Sequence, residues 1–152
     1  MLRRPKDFQR TRVYRAEWAA SDAMEELGTL KQLGQAQLRA AVRDTWEVMG
    51  YAHFQTPKVG FVSKRAKRLA ACYDPRTHEV RFALHLKGCT QLIICHELAH
   101  AATFPLVLRG EVSIHGPEFV ATYLKAVRKT MREAEHDTLR RAMLLQGVRV
   151  AS

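Results

Sequence analysis

Thr90-Gln91-Leu92-Ile93-Ile94-Cys95-His96-Glu97-Leu98-Ala99-His100-Ala101-Ala102-Thr103 is the stretch on which the reading of this chain turns. It is almost wholly apolar, yet it carries two histidines four residues apart and a glutamate directly after the first. On a helix, positions i and i+4 lie one above the other, so His96 and His100 present their imidazoles to a common point. A zinc ion accepts that arrangement. Glu97, one residue along, points beside such an ion, where it can take a proton from a water molecule that the zinc activates. Two histidines and a glutamate in so apolar a helix would be costly to bury without a metal or other partners. The helix is expected to end near Pro105, because proline disfavours helical geometry in the residue before it.

A catalytic zinc site takes three protein ligands and keeps a fourth position open. Downstream, His115 is the best third ligand: it precedes Gly116-Pro117, where the chain bends into another helix and where glycine lets the backbone pass close to a metal. Glu118 is the rival, as a carboxylate offered from that later helix. Cys95 adjoins His96, but neighbouring helical residues point about 100° apart and do not easily share one ion. Cys72, Cys89 and Cys95, odd in number and without a C-x-x-C pair, read as packing residues of a protein without a disulfide framework.

Working back from the histidine helix, residues 58–62, 69–73 and 79–84 read as strands. Val80, Phe82 and Leu84 alternate with Arg81 and Ala83, and Asp74-Pro75-Arg76-Thr77 reads as a turn. A small, mainly antiparallel sheet of three strands follows. Before it, Leu38, Ala41, Val42, Thr45, Trp46 and Met49 recur at helical spacing over 35–49, with Gly50 as the break. An earlier helix is expected to start at an N-cap Ser21, with Asp22, Glu25 and Glu26 in its first turns and Gly34 as its stop. After Pro117, Phe119, Val120, Tyr123, Leu124, Val127 and Met131 mark an apolar stripe, and a last helix is expected over 137–146. The class is α+β. At 152 residues the chain fits one domain, 1–152, with a basic N-terminal segment (1–15) and a frayed C-terminal tail (147–152).

A hydrophobic fraction of 47% excludes wholesale disorder. No run approaches the ~18 consecutive apolar residues of a spanning helix, and the N-terminus lacks a secretory apolar core, so a cytoplasmic protein without a membrane partner is expected. The formal charge of +10 biases the chain towards polyanions. It is uneven: Arg3, Arg4, Lys6, Arg10, Arg12 and Arg15 load the start, and Lys125, Arg128, Lys129, Arg132, Arg140 and Arg141 the end. Lys64, Arg65, Lys67 and Arg68 sit between two strands, either as a solvated turn whose charge discourages edge pairing or as a patch for DNA or another polyanion. Oligomeric state leaves no signature in the sequence.

His96-Glu97-x-x-His100 followed by His115-Gly116-Pro117-Glu118-Phe119 resembles the SprT-like zinc metalloproteases, whose pattern is HExxH and then, after a variable loop, a third histidine in an HGxxF-type segment. The resemblance covers roughly residues 57–130. It implies a minimal zincin-like domain, zinc as cofactor, His96, His100 and His115 as ligands, Glu97 as catalytic base, and a protein or peptide substrate. Eukaryotic members act on proteins crosslinked to DNA, but no separate DNA-binding module follows the core here. The segment Lys6-Asp7-Phe8-Gln9-Arg10-Thr11-Arg12-Val13-Tyr14-Arg15-Ala16-Glu17 is similar to the opening of a narrower family of predicted metallohydrolases from actinobacteria and their phages, with Lys6 in place of the usual arginine. Metzincins are excluded, since Thr103 and Leu106 stand where their pattern needs glycine and histidine.

Three classes of function remain: a zinc peptidase, a nucleic-acid-associated binding protein with a non-catalytic zinc, and a zinc hydrolase of a non-peptide amide or ester. For the first, an extended substrate along a sheet edge is expected. Tyr123, His85 and Tyr73 are candidates for an extra donor to the substrate oxygen. His53, His78 and His136 have no assigned role. From residues alone, Phe8, Val13, Tyr14 and Trp18 are read as pinning the N-terminus to the core.

Overall fold

The computed structural model describes residues 6–63 and 69–152. Its elements run α1 (Arg10–Glu26), α2 (Gln35–Trp46), β1 (Lys58–Phe61), β2 (Ala71–Asp74), β3 (Glu79–Phe82), α3 (Gln91–Leu108), α4 (Pro117–Thr130) and α5 (Glu133–Leu145), with a π-type turn at Glu47–Tyr51 closing α2. The α+β class holds, with helices before the small sheet and three after it.

The histidine helix α3 is the axis of the fold. Thr90 caps it by accepting from the Ile93 N–H at 3.5 Å, and a cap of this kind contributes about 1 kcal/mol. Its 18 residues are long and apolar enough to cross a bilayer by composition, and 56% of them are buried inside the protein. Packing against α2, α4 and β2 accounts for that character. The helix runs past Pro105 to Leu108, further than expected. Thr103 and Val107 are both buried, and burying that last turn outweighs the single backbone hydrogen bond that the proline ring removes. Residues 105–108 therefore continue the helix beyond its expected end.

The sheet has the order β1-β3-β2. β2 and β3 form the expected antiparallel hairpin, Ala71 opposite Phe82 through Asp74 opposite Glu79. Asp74 Oδ1 accepts the Arg76 N–H at 2.9 Å in its turn. β1 pairs with β3 in parallel, Lys58 opposite Glu79 through Phe61 opposite Phe82. The sheet is thus mixed, because β3 enters between β1 and β2. Lys64, Arg65, Lys67 and Arg68, like Arg3 and Arg4, lie outside the described residues.

The first helix departs most from expectation. It begins at Arg10, and Ser21 lies inside it. Val13, Ala16, Glu17, Ala20 and Met24 form its buried face. Small alanines make that stripe weakly hydrophobic, which is why a polar cap signal at Ser21 competes with it on paper. Gly34 is the N-cap of α2, with the Gln37 side chain accepting its N–H at 2.9 Å. Gly50 does mark the break after α2, at φ 98, which favours glycine.

α1 packs on α5 and α5 on α4. α5 starts at Glu133, four residues before the expected Asp137. After it, Val148 is buried and Ala151 donates to the Pro117 carbonyl at 3.0 Å. Gln9 donates to the Arg149 carbonyl at 3.2 Å and accepts the Arg149 N–H. The segment 147–152 is tied to both α4 and the start of α1.

Candidate metal centre

His96 and His100, one turn apart on α3, bring their Nε2 atoms within 3.1 Å of each other. His115 reaches the same point from the turn before α4, and the ligand atoms of the three histidines all lie within 4.8 Å of one another. The spacing of the first pair is near the ~3.4 Å edge of a tetrahedron built on ~2.1 Å metal–nitrogen bonds. Gly116 makes the His115 approach possible by closeness: a Cβ there would lie 2.9 Å from Ser113 Oγ and 3.1 Å from the Ser113 carbonyl.

The Nδ1 atoms of His96 and His115 are already engaged. His96 Nδ1 donates to Glu17 Oε2 at 2.6 Å, and the buried Tyr123 hydroxyl donates to the same oxygen at 2.7 Å. His115 Nδ1 donates to Asp7 Oδ2 at 2.7 Å, and Gln9 Nε2 donates to the His115 carbonyl at 3.1 Å. Each carboxylate fixes a tautomer whose Nε2 lone pair faces the cluster. His115 Nε2 is buried and, among the described residues, has no hydrogen-bond partner. An orphaned acceptor of that kind costs about 1–3 kcal/mol, and a metal ion relieves the cost. The donor set fits a transition metal that favours imidazole nitrogen.

Electrostatics follow from this packing. Burial lowers His100 well below its ordinary value, and His96 and His115 push it the same way. His115 is also lowered, by burial first, against the pull of Asp7. Burial would lower His96 too, but the Glu17 charge and hydrogen bond together raise it.

Glu97 stands beside the cluster, outside it. Its Oε2 accepts the Tyr73 backbone N–H from β2 at 2.7 Å. Burial pushes its carboxyl up to about 7, with His96 opposing, Glu17 adding, and the Tyr73 N–H opposing. It lines a cleft of about 370 Å³ together with His100, His115, Tyr14, Phe104 and Val107. A second hollow, of about 520 Å³, lies between α1 and the start of α3 and shares Tyr14, Leu69, Ala71 and Glu97 with the cleft.

No family model, curated protein or solved structure matches this chain.

The structure brings His96, His100 and His115 together, with Glu97 at their side. The rival Glu118 is not part of the histidine cluster. Cys95 Sγ faces Thr130 Oγ1 at 3.3 Å, with its thiol pushed up to about 11 by burial, as a packing residue should be. Of the three candidate oxygen donors, Tyr123 is committed to Glu17. The Tyr73 hydroxyl is held by His78 Nδ1 at 2.8 Å, and His85 lines a separate hollow with Leu30, Gln32 and Leu86.

Sequence reasoning missed Asp7, Gln9, Tyr14 and Glu17. They give the opening segment, Lys6 to Glu17, the chemical role it lacked: all four touch the metal centre or line its cleft. One signal was present. Glu17 lies between Ala16 and Ala20 on an apolar helical face, where a carboxylate needs a buried partner.

Proposed function

We propose that this chain is a zinc-dependent hydrolase, most simply a peptidase, with His96, His100 and His115 as ligands and Glu97 as the general base. The observation that carries the reading is the place of Glu97: in the cleft wall beside the histidines, held by a backbone N–H, and not among the ligands. A purely structural metal would have no use for a buried carboxylate facing an open cleft. The resemblance to SprT-like metalloproteases supports the same roles.

Zinc bound there would polarise a carbonyl and bring the pKa of a water molecule towards neutrality. Glu97 would accept a proton from the attacking water as the water oxygen bonds to the carbonyl carbon and the carbonyl electron pair moves to its oxygen. The same carboxyl then delivers the proton to the leaving nitrogen as the C–N bond breaks, yielding an acid and an amine. Burial raises that carboxyl in the metal-free site, and a dication beside it would favour the carboxylate form that takes the proton. Ala71, Cys72 and Tyr73 of the edge strand β2 line the cleft, the setting in which an extended peptide can lie alongside a strand.

A polyanion partner belongs to the same proposal. Lys125, Arg128 and Lys129 are exposed on α4, and with the net charge of +10 they support recruitment to DNA.

The test is zinc content by elemental analysis, with cleavage of a casein-type substrate with and without DNA, for wild type and Glu97→Gln. One zinc per chain, with cleavage lost in Glu97→Gln, is the expected result. Zinc without Glu97-dependent cleavage would move the reading to a binding protein or a non-peptide hydrolase.

A further inference from the structure

Hydrolysis of an amide places negative charge on the former carbonyl oxygen, and a cleft built for it gains from a neutral donor aimed at that oxygen. Tyr123 and Tyr73 have hydroxyls committed elsewhere, to Glu17 and His78. Tyr14 differs from both. It lines the cleft with Glu97, His100 and His115. Its ring stacks on His96, centroids 5.5 Å apart and 23° between planes, and lies 5.3 Å from the His115 ring. The Arg10 side chain donates a hydrogen bond to its oxygen, and among the described residues none accepts its hydroxyl proton.

We infer that Tyr14 is the catalytic donor that stabilises the developing oxyanion. The position follows from α1 itself. Arg10, Tyr14 and Glu17, at helical spacing, all face the centre: Glu17 holds His96 from behind, Tyr14 covers the imidazoles on the cleft side, and Arg10 brings its guanidinium 5.9 Å from the Tyr14 ring at the mouth of the cleft. A cation over that ring and a tyrosine lining the cleft both favour an anionic oxygen there. The helix serves as a wall of the active site, from the ligand's rear hydrogen bond to the substrate's oxygen.

This inference rests on the hydrolase reading, so its test carries a measurement that needs no turnover. Wild type and Tyr14→Phe, loaded with zinc and matched for metal content, are titrated calorimetrically with acetohydroxamate, a metal-binding probe whose carbonyl oxygen stands in for the oxyanion. In parallel, casein-type cleavage is split into kcat and KM. Tyr14→Phe keeps the ring against His96 and His115, so folding and zinc content hold. Loss of the hydroxyl alone is expected to weaken acetohydroxamate about tenfold or more and to lower kcat by about 100-fold, with KM little changed. Acetohydroxamate binding within twofold of wild type at equal zinc would overturn the role of Tyr14. If wild type binds zinc and the probe but cleaves no peptide, the peptidase reading fails, and the probe affinities alone decide for or against Tyr14. A wild type that takes up no zinc overturns both.

Discussion

Glu17 accepts a hydrogen bond from His96 Nδ1 at 2.6 Å, although 79 residues separate the two in the chain. The contact joins the N-terminal helix to the candidate metal ligand and leaves His96 Nε2 turned towards His100 Nε2. It also satisfies the Tyr123 hydroxyl, so one carboxylate oxygen serves a ligand and the core at once.

Replacing that carboxylate should therefore be felt at the metal and in the fold. Glu17→Gln, which keeps the shape, is expected to weaken zinc by about 10-fold, and Glu17→Ala by up to about 100-fold. Glu17→Ala also leaves the His96 N–H and the Tyr123 hydroxyl unpaired in the core, at about 1–3 kcal/mol each. Competition with a chromophoric chelator and thermal melts of the metal-free variants read the two effects separately. Unchanged zinc affinity in Glu17→Ala would mean that the carboxylate does not orient His96.

Asp7 should behave more mildly. Its side chain is 21% exposed, against 6% for Glu17, so water replaces part of what is lost. Asp7→Ala is expected to weaken zinc by about 10-fold through a freed His115 ring. Because Gln9 still holds the His115 backbone, the melting temperature should move less than in Glu17→Ala. The same chelator competition decides it, and an equal loss of stability in both variants would contradict this ranking.

Much of this centre is legible in the sequence, and the reason is local geometry. His96, Glu97 and His100 sit within one turn and a half of helix, so spacing alone places them. His115 is legible through the chemistry of Gly116-Pro117, which fixes a turn and a helix start. Asp7, Gln9, Tyr14 and Glu17 are not, because their partners lie more than 70 residues away and no spacing rule spans that distance. Ser21 misleads for a related reason: a cap is a local preference worth about 1 kcal/mol, and burial of Val13, Ala16 and Ala20 against the rest of the fold overrides it. The parallel β1–β3 pairing is equally non-local, since alternation within a strand does not name its neighbour.

Gly116 offers a steric test of how His115 is held. A methyl group there meets Ser113 Oγ at 2.9 Å and the Ser113 carbonyl at 3.1 Å. That same carbonyl accepts the Gly116 N–H at 3.0 Å. The hydroxyl can rotate away, but the backbone oxygen cannot move without opening the turn that carries His115. Gly116→Ala is expected to cost about 1–3 kcal/mol in denaturant unfolding and to weaken zinc in parallel. Wild-type zinc affinity in a well-folded Gly116→Ala would show that the turn tolerates the shift.

Metal uptake should release a proton. In the metal-free centre the Glu17 charge and hydrogen bond overcome burial and raise His96, while burial and its neighbours lower His100. The two Nε2 atoms lie 3.1 Å apart; a His96 imidazolium, which Glu17 favours, would donate to His100 across that distance and has to give up its proton before both lone pairs can turn to zinc. Calorimetric titrations in buffers of different ionisation enthalpy are expected to show about one proton released per zinc near neutral pH, and affinity falling as pH drops below the ordinary histidine range. Heat independent of the buffer would mean that both histidines are already neutral, the shared proton merely shifting to the other ring nitrogen.

The last expectation concerns Glu97 without metal. Its carboxyl is raised from 4.5 to about 7, chiefly by burial. A group with a raised folded pKa contributes stability that is fully present below its unfolded value and is lost as pH rises through the folded one. Metal-free wild type should therefore lose stability relative to metal-free Glu97→Gln between about pH 4.5 and 7, by about 3 kcal/mol in all, and the gap should then stay level. Comparing the two variants removes the opposing contribution of His100, whose lowered pKa favours the fold at higher pH. Zinc reverses the logic, since a nearby dication stabilises the carboxylate. The gap should shrink when both proteins are loaded, because the charge that is expensive to bury in the empty site is the one that the filled site uses. Urea unfolding at a series of pH values, with chelator and with zinc, tests this. A metal-free gap that does not widen across that window would mean that Glu97 ionises as an ordinary solvated carboxylate and that burial does not raise it.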